Sequence, residues 1–344
     1  MRLSCLIFIK ILFAFAFLFF TSCRRTSIVV LDTQNGNTKN YNSAPMGFKY
    51  REVLLALERN ETLWGALRLY SDCTLITHYD LSNGNILATY QLPPIDVIVS
   101  YSEFSLFFPE SLDFIYCKAS YAEALKKRTT EIVKYNIKTN KSKILYKTKE
   151  NAYGKIARVD NNKILFVENS SDGPAILILL NIHNGEYKKC HLLPQQYTIN
   201  SVSPNGKYAV ISTTNGLFLV NLSKMVVTNV LSSSTRVTTY NANFNKLSSR
   251  IVYSINAYNI FIYNISTGNQ LRLNINQEQL YRIYGCAFLN ESMVVYLKKY
   301  NTQDNKDKII VLYNLDKKEI EKEISIPFIK SELLVCGKYI VFED

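Results

Sequence analysis

The chain has 344 residues, 47% of them hydrophobic, so it can bury a large core. Its 40 basic residues outnumber 28 acidic ones for a formal charge of +12, yet no dense Lys/Arg block occurs, which argues against a nucleic-acid-binding protein. The 24 Tyr and 18 Phe against 12 Gly and 8 Pro favour strands over helices.

The chain opens with MRLSCLIFIKILFAFAFLFFTS, residues 1–22. Arg2 and Lys10 are its only charges, and Ile11 to Phe20 is an uncharged apolar run. A membrane-spanning helix needs about 20 apolar residues, so this run is too short and reads as a signal peptide. Phe20-Thr21-Ser22-Cys23 follows and resembles the lipobox of bacterial lipoproteins, with Phe20 where Leu is commoner. Small residues before the Cys let the peptidase approach the backbone, and the Cys23 thiol accepts the lipid. The resemblance implies a mature chain that starts at Cys23 and is anchored to the membrane without spanning it. That chain carries 38 − 28 = +10, since residues 1–22 hold two basic residues and no acidic one. Arg24, a non-Asp residue after the Cys, implies the outer membrane by analogy with enteric lipoproteins. The expected location is the bacterial cell envelope, facing the periplasm or the cell surface.

Beyond the leader, an apolar residue followed by Asn or Asp and then Leu or Ile precedes a polar turn, again and again. The Asx residues are Asp32, Asp80, Asn136, Asn181, Asn221, Asn264 and Asn314, spaced by 48, 56, 45, 40, 43 and 50. In the first copy Thr33 replaces Leu or Ile. A period of 40–50 residues holding four strands is the mark of a β-propeller. The Asx side chain can cap its own backbone two residues on, which suits the turn between third and fourth strands. Lys163 to Val167, Lys207 to Ser212, Arg250 to Ser254, Ser292 to Leu297 and Lys338 to Phe342 each follow a polar turn and read as strands.

The two ends of the chain complement one another. Residues 332–343 look like first and second strands, and residues 27–43 like third and fourth. Pairing them closes the ring and removes open sheet edges. The expected blades are 327–344 with 25–45, then 46–94, 95–149, 150–194, 195–234, 235–276 and 277–326. Six or eight blades are the alternatives to seven. The domain plan is a signal peptide over 1–22 and one all-β propeller over 23–344, expected to be a monomeric ring.

Ser203-Pro204-Asn205-Gly206-Lys207 resembles the turn of the TolB-type and WD40-like repeats, within the seven-bladed YVTN/quinoprotein-like superfamily. Asn205 stands where Asp is usual. The resemblance implies fold only, since there is no room for the separate N-terminal domain of TolB.

Chemical motifs are scarce. Cys73, Cys117, Cys190, Cys286 and Cys336 lie far apart with no CxxC, which predicts small buried residues rather than disulfides or a zinc site. His78 and His183 lie at Asx turns, and these and His191 read as packing or surface residues. There is one Trp, Trp64, and no phosphate loop, hydrolase elbow or metalloprotease motif, so no cofactor and no metal is expected. Two connections between second and third strands read as long: 118–130 and 298–308. They are basic and aromatic, and supply the candidate partner-binding residues Lys126, Lys127, Arg128, Lys298, Lys299, Tyr121 and Tyr300. Three functions remain open. The first is a lipid-anchored module that binds another envelope protein. The others are a hydrolase or lactonase with its site at the channel mouth, and a glycan or small-ligand binder.

Overall fold

The computed structural model describes residues 28–34, 38–41, 50–57, 62–69, 74–80, 82–83, 85–92, 105–122, 127–148, 156–169, 173–192, 197–213, 216–232, 239–255, 258–273, 275, 281–300, 308–326, 334–336 and 339–343. These residues form seven four-stranded antiparallel sheets and no helix. The sheets are numbered here as blades.

Blade 1 joins the two ends of the chain. Its strands run β27 (Leu334–Cys336), β28 (Tyr339–Glu343), β1 (Ile28–Asp32) and β2 (Thr38–Tyr41). Ile28 lies opposite Glu343 and Asp32 opposite Tyr339, so five antiparallel pairs close the ring. Blade 2 holds β3 (Tyr50–Leu57), β4 (Thr62–Leu69), β5 (Thr74–Asp80) and β6 (Ile86–Leu92). Blade 3 holds β7 (Ser105–Phe108), β8 (Asp113–Ala122), β9 (Lys127–Asn136) and β10 (Lys141–Lys147). Blade 4 holds β11 (Ala157–Arg158), β12 (Lys163–Glu168), β13 (Ile176–Asn181) and β14 (Tyr187–His191). Blade 5 holds β15 (Thr198–Val202), β16 (Tyr208–Thr213), β17 (Gly216–Asn221) and β18 (Val226–Ser232). Blade 6 holds β19 (Thr239–Phe244), β20 (Arg250–Ile255), β21 (Asn259–Asn264) and β22 (Gln270–Arg272). Blade 7 holds β23 (Tyr281–Asn290), β24 (Met293–Tyr300), β25 (Lys308–Asn314) and β26 (Glu319–Ile326). Each blade is a meander of neighbouring hairpins, and the first strands of successive blades touch, as in β15 with β19 and β19 with β23.

The core lies between the sheets. Leu31 and Ile340 of blade 1 pack against Val295, Leu297 and Ile310 of blade 7. Val252 and Ile260 of blade 6 pack against Cys286 and Val294 of blade 7, and Leu165 and Leu177 of blade 4 against Ile199 and Ile211 of blade 5. Ile76 and Leu92 join blade 2 to Phe107 and Phe114 of blade 3 in the same way. Middle strands are covered on both faces and read as continuous apolar runs: Ile164 to Val167 and Leu177 to Leu180 are all buried. Outer strands are mostly wet, as in Tyr187–His191, where only Cys190 is half-buried. Each buried Leu or Ile contributes about 1.5–3 kcal/mol.

The Asx signature does in the fold what its chemistry predicts. Asp32 Oδ1 accepts from Gln34 N at 2.9 Å, Asp80 from Ser82 N at 2.8 Å and Asn181 from His183 N at 2.8 Å. Asn221, Asn264 and Asn314 accept from Ser223 N, Ser266 N and Asp316 N at 3.1, 3.0 and 3.0 Å. Asn136 reaches one residue further, to Thr139 N at 2.9 Å. Four positions after the Asx the backbone turns left-handed: φ is 55° at Asn140, 82° at Gly185, 52° at Met225, 72° at Gly268 and 58° at Lys318. Glycine adopts this region freely and other residues at a cost.

Turns between first and second strands meet across blades. Arg158 Nη2 of blade 4 donates to Glu110 of blade 3 at 2.9 Å, Asn205 N of blade 5 to Ser248 Oγ of blade 6 at 3.2 Å, and Asn245 Nδ2 of blade 6 to Glu291 of blade 7 at 2.6 Å. These turns share one end of the ring with the Asx turns. The hairpins between second and third strands lie at the other, here the hairpin end.

Candidate functional site

At the hairpin end of blade 7 the two faces of the sheet carry different chemistry. On the face toward blade 6, Lys298 of β24 reaches across to Glu323 of β26, Nζ to Oε1 at 2.6 Å. The same ammonium sits 4.6 Å from the ring centroid of Tyr281 of β23. The Lys298 side chain is only 14% exposed, so it is an internal tie of the blade.

The face toward blade 1 carries a row of cations. Arg282 of β23 lies opposite Lys299 of β24, and Lys299 lies opposite Lys308 of β25. Residues directly opposite in an antiparallel sheet project to the same face, and like charges there oppose one another. The half-buried Lys308 amine is held below its usual range, first by burial and then by the charge of Lys299. A register shift between Ile283 and Gly285 turns Tyr284 out, 41% exposed, with Lys308 Nζ 5.6 Å from its ring centroid. Cations beside an exposed amphipathic ring suit an acidic partner or anionic surface.

Sequence reasoning marked Lys299 and missed Arg282, Tyr284 and Lys308. Tyr300 ends β24 opposite Tyr281. Residues 301–307, with Asp304, Lys306 and Asp307, lie outside the described residues.

The second expected loop, 118–130, is mostly a hairpin. β8 runs on to Ala122 and β9 begins at Lys127, with Lys118 opposite Glu131, Tyr121 opposite Arg128 and Ala122 opposite Lys127. Thr130 is held at both edges, its N donating to Thr148 Oγ1 at 2.9 Å and its O accepting from Thr148 Oγ1 at 3.1 Å. The polar composition of 118–130 hid a strand pair that projects as one ladder. Lys126 lies outside the described residues.

His183 Nε2 is 2.8 Å from Asn162 Oδ1, His78 lies on β5 opposite Trp64, and His191 ends β14 in solvent. Cys117, Cys190 and Cys286 are free thiols. Burial pushes Cys117 up to about 12 and raises Cys190 and Cys286, so all three are poor nucleophiles. Among the described residues no group of three or more His, Cys, Asp or Glu could hold a metal ion.

Seven sheets with matching strand order, packed face to face at six seams among the described residues and with the chain ends paired in one sheet, define a β-propeller. No protein-family model matches the chain, and no curated protein matches it by sequence. Among solved structures it is similar to an oligogalacturonate lyase in complex with manganese: TM-score 0.58 over 85% of this chain and 82% of that one, at 11% identity. At that identity the likeness is one of fold alone.

Proposed function

We propose that the protein is a lipid-anchored β-propeller of the bacterial envelope that recognises another envelope protein with the hairpin end of its ring. The lipobox-like Phe20-Thr21-Ser22-Cys23 supports the anchor. The observation that carries the recognition reading is the basic hairpin of blade 3, where Arg128 lies opposite Tyr121 and Lys127 opposite Ala122 on paired strands. Rigid strands lose less entropy on binding than loose loops would, which favours affinity.

The test is capture of partners from bacterial membranes after gentle detergent extraction. Charge reversal at Lys126, Lys127 and Arg128 should release a specific partner that the parent retains. Equal capture by parent and variant would overturn a role for that edge.

A second reading, an envelope hydrolase or lactonase with its site at the channel mouth, draws on the enzyme among the structural neighbours. A divalent metal bound to the natively purified protein, together with turnover of an ester, lactone or glycan, would favour it.

A further inference from the structure

We propose that the hairpin end of blades 7 and 1 lies against the membrane, where the row Arg282–Lys299–Lys308 docks on anionic lipid headgroups. This rests on the reading that Cys23 carries the lipid.

The direction of β1 sets the geometry. It is the third strand of its blade, so it enters at the hairpin end and leaves at its Asx turn, Asp32. Ile28 lies opposite Glu343, which puts the entry point where the other blades have their second-to-third-strand hairpins. Only Arg24, Arg25, Thr26 and Ser27 separate Cys23 from Ile28. Fully extended, that tether spans at most about 18 Å. The Asx end of the blade is a further strand length away, about 16 Å for five residues. Screening in physiological salt acts over about 8 Å, so charges at the far end would hardly feel the headgroups.

The row is on the right blade and the right face. Leu297 and Ile310 follow Lys299 and Lys308 inward on the same face, and both pack with Leu31 and Ile340 of blade 1. The cations therefore stand at the lip of the blade 7–blade 1 interface, beside the point where the tether leaves. Exposed Tyr284 next to them has the apolar body and polar tip that suit headgroup depth. The lipid on Cys23 supplies the anchoring, and a basic patch beside it sets the orientation of the ring on the membrane. A partner meeting the same end would then be a protein of that membrane.

The test uses the mature protein purified from bacterial membranes and reconstituted into phosphatidylcholine vesicles with or without phosphatidylglycerol. Flotation reports the anchor, and an impermeant lysine-acylating reagent read by mass spectrometry reports the orientation. With phosphatidylglycerol, acylation of Lys299 and Lys308 should slow about fivefold or more, given the usual contribution of a basic residue near an anionic surface. Exposed Lys224 and Lys318, at the Asx end, should be unchanged. Arg282→Gln should weaken the protection, and high salt should abolish it. Equal rates for Lys299 and Lys308 in both vesicles, or protection of Lys224 and Lys318 instead, would overturn the proposal. Failure to float with phosphatidylcholine vesicles would defeat the anchor reading alone. Binding to phosphatidylglycerol vesicles with Lys299 protected would then still support the headgroup site, and no binding would overturn it.

Discussion

Replacing Gly268 by alanine should cost about 1 kcal/mol, and replacing Lys318 by glycine should return about the same. Both residues sit four positions after a capping Asx, with φ of 72° and 58°. Left-handed backbone costs a residue with a Cβ about 1–2 kcal/mol, while loss of chain entropy in the unfolded state favours alanine over glycine by about 0.4–1 kcal/mol. A Cβ at Gly268 would meet nothing nearer than Tyr263 Oη at 3.9 Å, so crowding adds nothing there. Gly206 is different: φ is 67° and a Cβ would come within 3.2 Å of the carbonyl oxygen of Val159 in blade 4. Gly206→Ala should therefore cost more than Gly268→Ala. Urea unfolding followed by circular dichroism at matched slopes reads all three. A Lys318→Gly protein less stable than the parent would refute the argument that backbone conformation alone selects this position.

Asn245 is fully buried, accepts from Ser249 N and Arg250 N at 2.9 and 2.7 Å, and donates to Ser249 Oγ and Glu291. Asn245→Ala leaves two backbone donors and the blade 6–blade 7 tie unmet and should cost about 2–4 kcal/mol in the same assay; a loss below about 0.5 kcal/mol would show that water replaces it. Burial raises the Glu291 carboxyl, but hydrogen bonds from Arg250, Asn245 and Leu247 N and the charge of Arg250 outweigh it and hold the group below the usual range of a glutamate. Its stabilisation is thus present above the usual glutamate range and fades as pH falls below it, so Glu291→Gln should flatten the acid limb of the stability profile. Leu31→Ala, which empties a buried site between blades 1 and 7, should lower the stability of the closed ring by about 2–5 kcal/mol. In native protein Cys117 and Cys286 should resist thiol reagents at neutral pH and react after unfolding, as peptide mass mapping would record.

What was legible in the sequence came from short stretches. The Asx and the apolar runs between successive copies are encoded in neighbouring residues, so the repeat period and the Asx turn could be read directly; the left-handed position four residues on falls on Asn140, Gly185, Met225, Gly268 and Lys318, which share no single residue type, and emerged only from the backbone. Ring closure was legible too, because Ile28–Asp32 and Tyr339–Glu343 each lacked half a blade. The surface chemistry was not. Arg282, Lys299 and Lys308 are 17 and 9 residues apart and become neighbours only through pairing register. An extra residue between Ile283 and Gly285 shifts that register and turns Tyr284 outward, with a lone Gly285 beside it as its local sign. Lys298 and Lys299 are adjacent in the chain, yet one is tied to Glu323 inside the blade and the other joins the cationic edge, because successive strand residues face opposite ways. Periodicity determines which residues form strands; only the tertiary pairing decides which charges share a face.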